Sequence, residues 1–265
     1  SDLLVTTKIN EGESLDNMIL KILLQFKKTK NILCLDLINF LLDIKFSNLT
    51  KENNRNLIID SMSAFGAIDL DVRKVTFDAM MASSNKCLEG VPGLGFAIIR
   101  KSALEICKNN SESLSLDLYD QWTSMQTNNQ WRFTPPTHVI NALDAALKQF
   151  KDEGGLESRY TRYSNNCRIL IDGMRALGFE TLLPDEFQAP IIVTFKMPCD
   201  KKFNFQVFYD ALSKRGYLIY PGKLTVIPSF RIGCIGHIGA KEMQGAIIAI
   251  DETLKEMGVH NTASI

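Results

Sequence analysis

The chain has 265 residues, of which 45% are hydrophobic and 23% charged, with 30 Lys and Arg against 30 Asp and Glu. That length suits one large domain or two ordinary ones around a sizeable apolar core. The balanced charge leaves no global field to favour nucleic acid or an anionic membrane, so any anion must be gripped by local geometry. Six cysteines, Cys34, Cys87, Cys107, Cys167, Cys199 and Cys234, form no CxxC pair, and the three histidines stand far apart. Neither a zinc site nor a disulfide framework is expected. No basic-then-apolar leader opens the sequence and charge interrupts every long apolar run, so the expected location is cytoplasmic or an organelle matrix, in a reducing setting. A start at Ser1 without methionine suits a fragment or a processed product.

Ser14 precedes Leu15, Ile19, Ile22, Leu23 and Phe26 at helical spacing, which predicts an opening helix. Ile32 to Leu37 and Asn56 to Asp60 read as buried strands. Phe77 to Ser84 and Leu94 to Ile99 read as two more, with Asn85 and the glycines Gly90, Gly93 and Gly95 as turn residues. Four strands are therefore predicted before the first long helix. That helix enters at Pro135 and Pro136, carries Ile140, Leu143, Leu147 and Phe150 on one face, and stops at Gly154-Gly155. The next holds Leu156, Tyr160, Tyr163, Cys167, Leu170, Met174 and Leu177 in one stripe and ends at Gly178. Strands follow at Ile191 to Phe195, Tyr217 to Tyr220 and Phe230 to Ile232, with a helix from Asn204 to Arg215 between the first two. A last helix places Met243, Ile247, Ile250, Leu254 and Met257 together, and the tail after Gly258 is expected to fray. The pattern is α/β in two layers, divided near residues 135 to 155.

Two ionisable groups stand at strand ends. Asp60 closes the run Leu57-Ile58-Ile59, and Lys86 follows the run ending Met80-Met81-Ala82-Ser83-Ser84. In open α/β sheets that edge is where ligands bind. A carboxylate there can keep a pyridinium nitrogen protonated and a lysine amine can form a Schiff base with an aldehyde, the two groups a pyridoxal cofactor most needs. A lone strand-end lysine is more often ordinary solvated surface. The small residues Ser83, Ser84 and Asn85 favour the ligand reading, because they allow close backbone approach and offer hydrogen bonds.

Two segments, Asp60-Ser61-Met62-Ser63-Ala64-Phe65-Gly66 and Ser83-Ser84-Asn85-Lys86-Cys87, resemble the cofactor-aspartate and Schiff-base-lysine segments of the 2-aminoethylphosphonate:pyruvate aminotransferases, within the class V family. The likeness continues through Gly90-Val91-Pro92-Gly93-Leu94-Gly95-Phe96, Ser113 to Tyr119, Trp131-Arg132-Phe133-Thr134-Pro135-Pro136-Thr137-His138, Tyr220-Pro221-Gly222-Lys223 and Phe230-Arg231-Ile232-Gly233. Together these segments cover about residues 55 to 257 in unbroken order.

The resemblance implies fold type I of the pyridoxal-phosphate-dependent transferases. Residues 1–137 would be a partial cofactor-binding large domain with a mostly parallel sheet, its first 50 residues diverged, and residues 138–265 the connecting helix and a C-terminal small α/β domain. It implies pyridoxal 5'-phosphate as cofactor, held covalently by Lys86, which would also shuttle the substrate proton, with Asp60 on the ring nitrogen. Thr134 matches the position from which a neighbouring subunit reaches the cofactor phosphate, which would require a homodimer. Its other reading is a helix N-cap ahead of Pro135-Pro136. Arg231 matches the family's substrate-binding arginine; read alone, an arginine there more often snorkels from an edge strand than grips a substrate anion. The implied substrates are 2-aminoethylphosphonate and pyruvate, with alanine, serine or glyoxylate as alternatives for a related class V enzyme.

Other candidates are read as structural. The glycine cluster at 90 to 95 fits a turn into the next strand better than a phosphate loop, His138 and His237 lack partners at a telling spacing, and Cys87 is a small packed residue whose thiol could still react. The sequence also departs from the family. Asp36-Leu37-Ile38-Asn39-Phe40 stands where the family has Glu-Thr-Thr-Thr-Gly, Glu112 replaces an expected basic residue, and the Gly-rich phosphate-cradling portion at the family's N-terminus has no counterpart. These departures raise a second expectation, a catalytically impaired remnant of the fold with poor solubility.

Overall fold

The computed structural model describes residues 33–35, 47, 50–222 and 227–264. The opening helix, the Asp36 to Phe40 segment, the outer residues of the Ile32 to Leu37 strand and Lys223 lie outside them. The chain divides into two compact units. The first takes in the residues up to Met62, Leu70–Ala82 and Gly95–Thr137; the second takes in Ser63–Asp69, Ser83–Leu94 and His138–Ile265.

Four strands in chain order form the first sheet: β1 (Leu33–Leu35), β2 (Leu57–Asp60), β3 (Ala79–Ser83) and β4 (Gly95–Ile99). β1 and β2 run parallel with Leu33 opposite Leu57, and β2 and β3 run parallel with Ile59 opposite Met80. β4 runs the other way. Arg100 N donates to Asp78 O at 2.8 Å, while a Cβ at Gly95 would lie 3.8 Å from Ala82 O, so the start of one strand meets the end of the other. Leu57, Ile59, Met80 and Ala82 are buried and their neighbours half-buried, the period of two that a sheet imposes. Asp78 is buried because both its oxygens are used: one accepts from Leu57 N at 2.8 Å and the other pairs with Arg100.

Two helices follow that periodicity does not predict, α1 (Lys101–Glu105) and α2 (Leu118–Asn128). Neither buries a residue, so neither writes an apolar stripe into the sequence. α2 is set instead by its ends. Asp117 accepts from Asp120 N at 3.0 Å, and Asn129 closes the helix in the left-handed region at φ 56°. The first long helix therefore comes before Pro135, not after it.

The second unit contains α3 (Thr137–Asp152), α4 (Gly155–Ala176), β5 (Ile192–Lys196), α5 (Phe205–Lys214), β6 (Tyr220–Pro221), β7 (Ser229–Gly233) and α6 (Ala240–Met257). β5, β7 and β6 pair antiparallel in that order, with Thr194 and Tyr220 on either side of Arg231. One core joins Leu170 and Met174 of α4, Val193 and Phe195 of β5, Phe208 and Leu212 of α5, Phe230 and Ile232 of β7, and Ile250 and Leu254 of α6. Phe230 has ring neighbours in Phe179, Phe195, Phe205 and Phe208 at 5.6 to 6.2 Å. α4 and α6 pack so closely that a Cβ at Gly173 would overlap Ile247.

Several expectations need correction. The Tyr217 to Tyr220 strand shrinks to Tyr220–Pro221, because Tyr217 N returns to Leu212 O at 3.0 Å and closes α5 instead of pairing with a strand. Tyr160 and Leu147 are 41% and 44% exposed. α4 turns inward a face that also includes Arg159 and Asn166, which leaves Tyr160 at its margin. The tail does not fray: Val259 and Thr262 are buried, and His260 N and Asn261 N both donate to Asp200 Oδ2.

Candidate functional site

Asp60 is the last residue of β2, opposite Met81 of β3. Its Oδ1 accepts from Met62 N at 3.0 Å, and Ser61 N donates to Met81 O at 2.8 Å, so the carboxylate leaves the sheet from a fixed backbone. Thr134 belongs to the same unit. It is exposed and lies three residues ahead of α3, so the N-cap reading fails. Arg132 anchors the segment before it by pairing with Asp120 at 3.0 Å, donating to Leu114 O at 3.0 Å, and lying 5.2 Å over the Phe133 ring.

Lys86 belongs to the second unit, on a turn that follows β3. The turn is tightly bonded. Gly90 N donates to Ser84 O at 2.8 Å, Glu89 N to Lys86 O at 2.9 Å, and Ser84 Oγ to Val91 O at 2.6 Å. Ser84 is thus buried and committed to the turn, not free to meet a ligand. A Cβ at Gly90 would stand 2.9 Å from Ser84 O, which is why the chain reverses on glycine there. Cys87 and Leu88 are buried, whereas Lys86 is exposed. Among the described residues the Lys86 ammonium has no hydrogen bond or ion pair. Cys87 is a packed residue: burial pushes its thiol up to about 12, and Sγ donates to Ser63 O at 3.2 Å.

Arg231 occupies the middle strand of its sheet, which corrects the edge-strand reading. Phe230 and Ile232 point into the core, so alternation puts Arg231 on the opposite face, beside Thr194 and Tyr220. Nε donates to Pro221 O at 3.2 Å, and among the described residues the two terminal nitrogens have no protein partner. The fork is held at its base and open at its tip, the form that grips a carboxylate or phosphonate. Asp60 and Thr134 are therefore placed in one unit and Lys86 and Arg231 in the other. His237 is almost fully exposed, 3.8 Å from Glu89. His138 is an exposed residue in the first turn of α3, and Glu112 is exposed.

A group absent from the sequence reading surrounds the Lys86 turn. Arg159, only 1% exposed, donates to Cys87 O and to Glu153 Oε2 at 2.7 Å. Glu89 accepts from Arg162 at 2.8 Å and from Tyr163 OH at 2.6 Å. Arg162 also binds Glu153 Oε1 at 2.7 Å and donates to Gly236 O. The Arg162 hydrogen bond holds the Glu153 carboxyl below its usual range, while burial, and then the Glu89 bond, push the Tyr163 phenol up. The one signal that could have found this group is Arg159 itself, an arginine falling within the apolar stripe of α4.

Among the described residues, Lys86 offers a primary amine with no hydrogen bond or ion pair and Asp60 a carboxylate at a strand end, the types of group that fit a pyridoxal phosphate by their chemistry. No helix among the described residues is long and apolar enough to cross a membrane.

A family model, aminotransferase class V, matches residues 38–237. A 2-aminoethylphosphonate–pyruvate transaminase of Burkholderia lata is 56% identical over 218 residues, 82% of this chain and 58% of that one. A protein of the same name from a Polaromonas species is 52% identical over 211 residues, 80% of this chain and 56% of its own length. The chain thus spans little more than half of each relative. The crystal structure of pyridoxamine-pyruvate aminotransferase from Mesorhizobium loti superposes with a TM-score of 0.80 at 20% identity, covering 92% of this chain and 65% of that one. The expected fold, fold type I, is borne out at that level.

Proposed function

This chain belongs to the class V aminotransferases, and on that premise we propose that it is the lysine-bearing part of an enzyme that moves an amino group from 2-aminoethylphosphonate to pyruvate, giving phosphonoacetaldehyde and alanine. The observation that carries the reading is Lys86: within a stretch 56% identical to a transaminase of that name, it is an exposed amine, unpaired among the described residues, next to the buried Cys87 and Leu88. When bound, pyridoxal phosphate supplies an electron sink for the carbanion left after proton removal. Lys86 would hold that cofactor through Nζ and, once displaced by the incoming amine, carry the proton between the substrate carbon and the cofactor. Asp60 would keep the ring nitrogen protonated. The Thr134 hydroxyl would bind the phosphate across a homodimer, and the open tip of Arg231 would bind the phosphonate and the pyruvate carboxylate in turn.

A dimer also accounts for the apolar surface of the first unit, where Ile106, Leu114 and Leu116 are 77%, 70% and 77% exposed. Cys87, Cys107, Cys167, Cys199 and Cys234 are free thiols, which suits the cytoplasmic setting included in this proposal. The test is a donor panel with pyruvate and added cofactor, reading alanine formed. Preference for 2-aminoethylphosphonate supports the reading, and turnover of serine or alanine with glyoxylate in its place would move the chain to another class V specificity. A second reading, a catalytically impaired remnant, is favoured by Asp36-Leu37-Ile38-Asn39-Phe40, whose bulky apolar side chains stand where the family presents threonines and a glycine to the cofactor.

A further inference from the structure

We propose that Arg159 and Glu89, linked through Arg162, Tyr163 and Glu153, are positioning residues for Lys86. This rests on the reading of Lys86 as the cofactor lysine. The turn has two anchors beyond its own hydrogen bonds. On the backbone side, Arg159 donates to the carbonyl of Cys87, the residue next to Lys86. On the side-chain side, the Glu89 carboxylate accepts from Arg162 at 2.8 Å and Tyr163 at 2.6 Å, with Arg159 Nη1 at 3.6 Å.

All three donors come from one helix, α4, so the turn is referred to a single rigid element. Glu89 adopts φ 58°, a left-handed conformation that non-glycine residues hold only where their surroundings impose it. Pairing the buried Arg159 and half-buried Arg162 with two half-buried glutamates gains little net stability, because desolvation offsets the Coulomb attraction. What such a network does supply is geometry. Arg159 is further fixed by the Phe150 and Tyr163 rings at 5.1 and 5.9 Å. The result is a lysine whose main chain is fixed on both sides while its side chain stays free, the arrangement needed by an amine that must leave its cofactor and return to the same atom.

The experiment uses the chain with pyridoxal 5'-phosphate as probe and compares wild type with Arg159→Met, Glu89→Gln and, as a control on the same helix, Arg175→Met, whose partner Asp185 lies at the surface. Two quantities are read: amide hydrogen exchange over residues 84–90, and the rate of borohydride-fixed cofactor attachment to Lys86 by peptide mass spectrometry. Arg159→Met and Glu89→Gln are expected to speed exchange at Glu89 and Gly90 about tenfold and slow Lys86 labelling several-fold, with α4 and β7 protected as in wild type; the control changes neither. Glu89→Gln preserves shape and decides the matter if Arg159→Met does not fold. Wild-type labelling at Lys86 with unchanged exchange and labelling in Glu89→Gln overturns the positioning role alone. Failure of the wild type to label at Lys86 overturns the lysine assignment and the positioning role with it.

Discussion

The two units of the chain solve the burial problem differently. The second closes its own core: Phe195, Phe208 and Phe230 are fully buried between a three-stranded sheet and three helices, and even its tail is tied down through Val259. In the first unit, α1 and α2 bury nothing, and large apolar side chains from Ile106 to Phe133 face outward. A set of exposed Leu, Ile, Trp and Phe on that scale is the mark of a surface meant to be covered. The contrast separates a unit whose core is covered by its own elements from one whose described apolar side chains stand open to solvent.

The largest expected effect falls in the closed core. Phe230→Ala leaves a cavity among four aromatic neighbours and should cost about 3–5 kcal/mol in a denaturant titration. A loss below about 1 kcal/mol would mean the second unit is not closed as described. The next effect is on acid stability. Because the folded Glu153 carboxyl is held low by Arg162, its contribution is complete above the ordinary carboxylate value and is lost as pH falls through the folded one. Glu153→Gln should therefore lower stability at neutral pH and flatten its acid limb below about pH 4, measured by thermal melts across pH.

The open surface should answer differently. Leu116→Ser is expected to change the stability of the isolated chain by no more than about 0.5 kcal/mol, yet to reduce self-association in sedimentation velocity. The smallest effect is chemical. At pH 8 an alkylating reagent should modify exposed Cys199 and leave native Cys87 intact, because burial keeps its thiol protonated; rapid Cys87 modification would show that the Lys86 turn opens.

The sequence revealed elements that bury a regular face. β2, β3, β4, β5 and β7 followed from short apolar runs, and α5 lies within the predicted Asn204 to Arg215 span, where the Asn204 side chain accepts from Val207 N at 3.1 Å. α2 was illegible because an uncovered helix needs no stripe, and β6 because the closure of α5 at Tyr217 takes residues that read as strand. Within the candidate site, Lys86 and Asp60 stood out at the strand ends. Arg159 did not, since a helical arginine usually means solvent, and its partners Cys87 and Glu89 lie about seventy residues away, beyond the reach of local pattern.

Whether Lys86 is the cofactor lysine is decided by an absorbance spectrum with pyridoxal 5'-phosphate, before and after borohydride, beside Lys86→Ala. A near-visible band is expected, which reduction converts into a stable adduct mapped to Lys86 and missing from the variant. No specific band, or an adduct spread over surface lysines and unchanged in Lys86→Ala, would contradict it and leave a chain that keeps the class V fold without holding the cofactor.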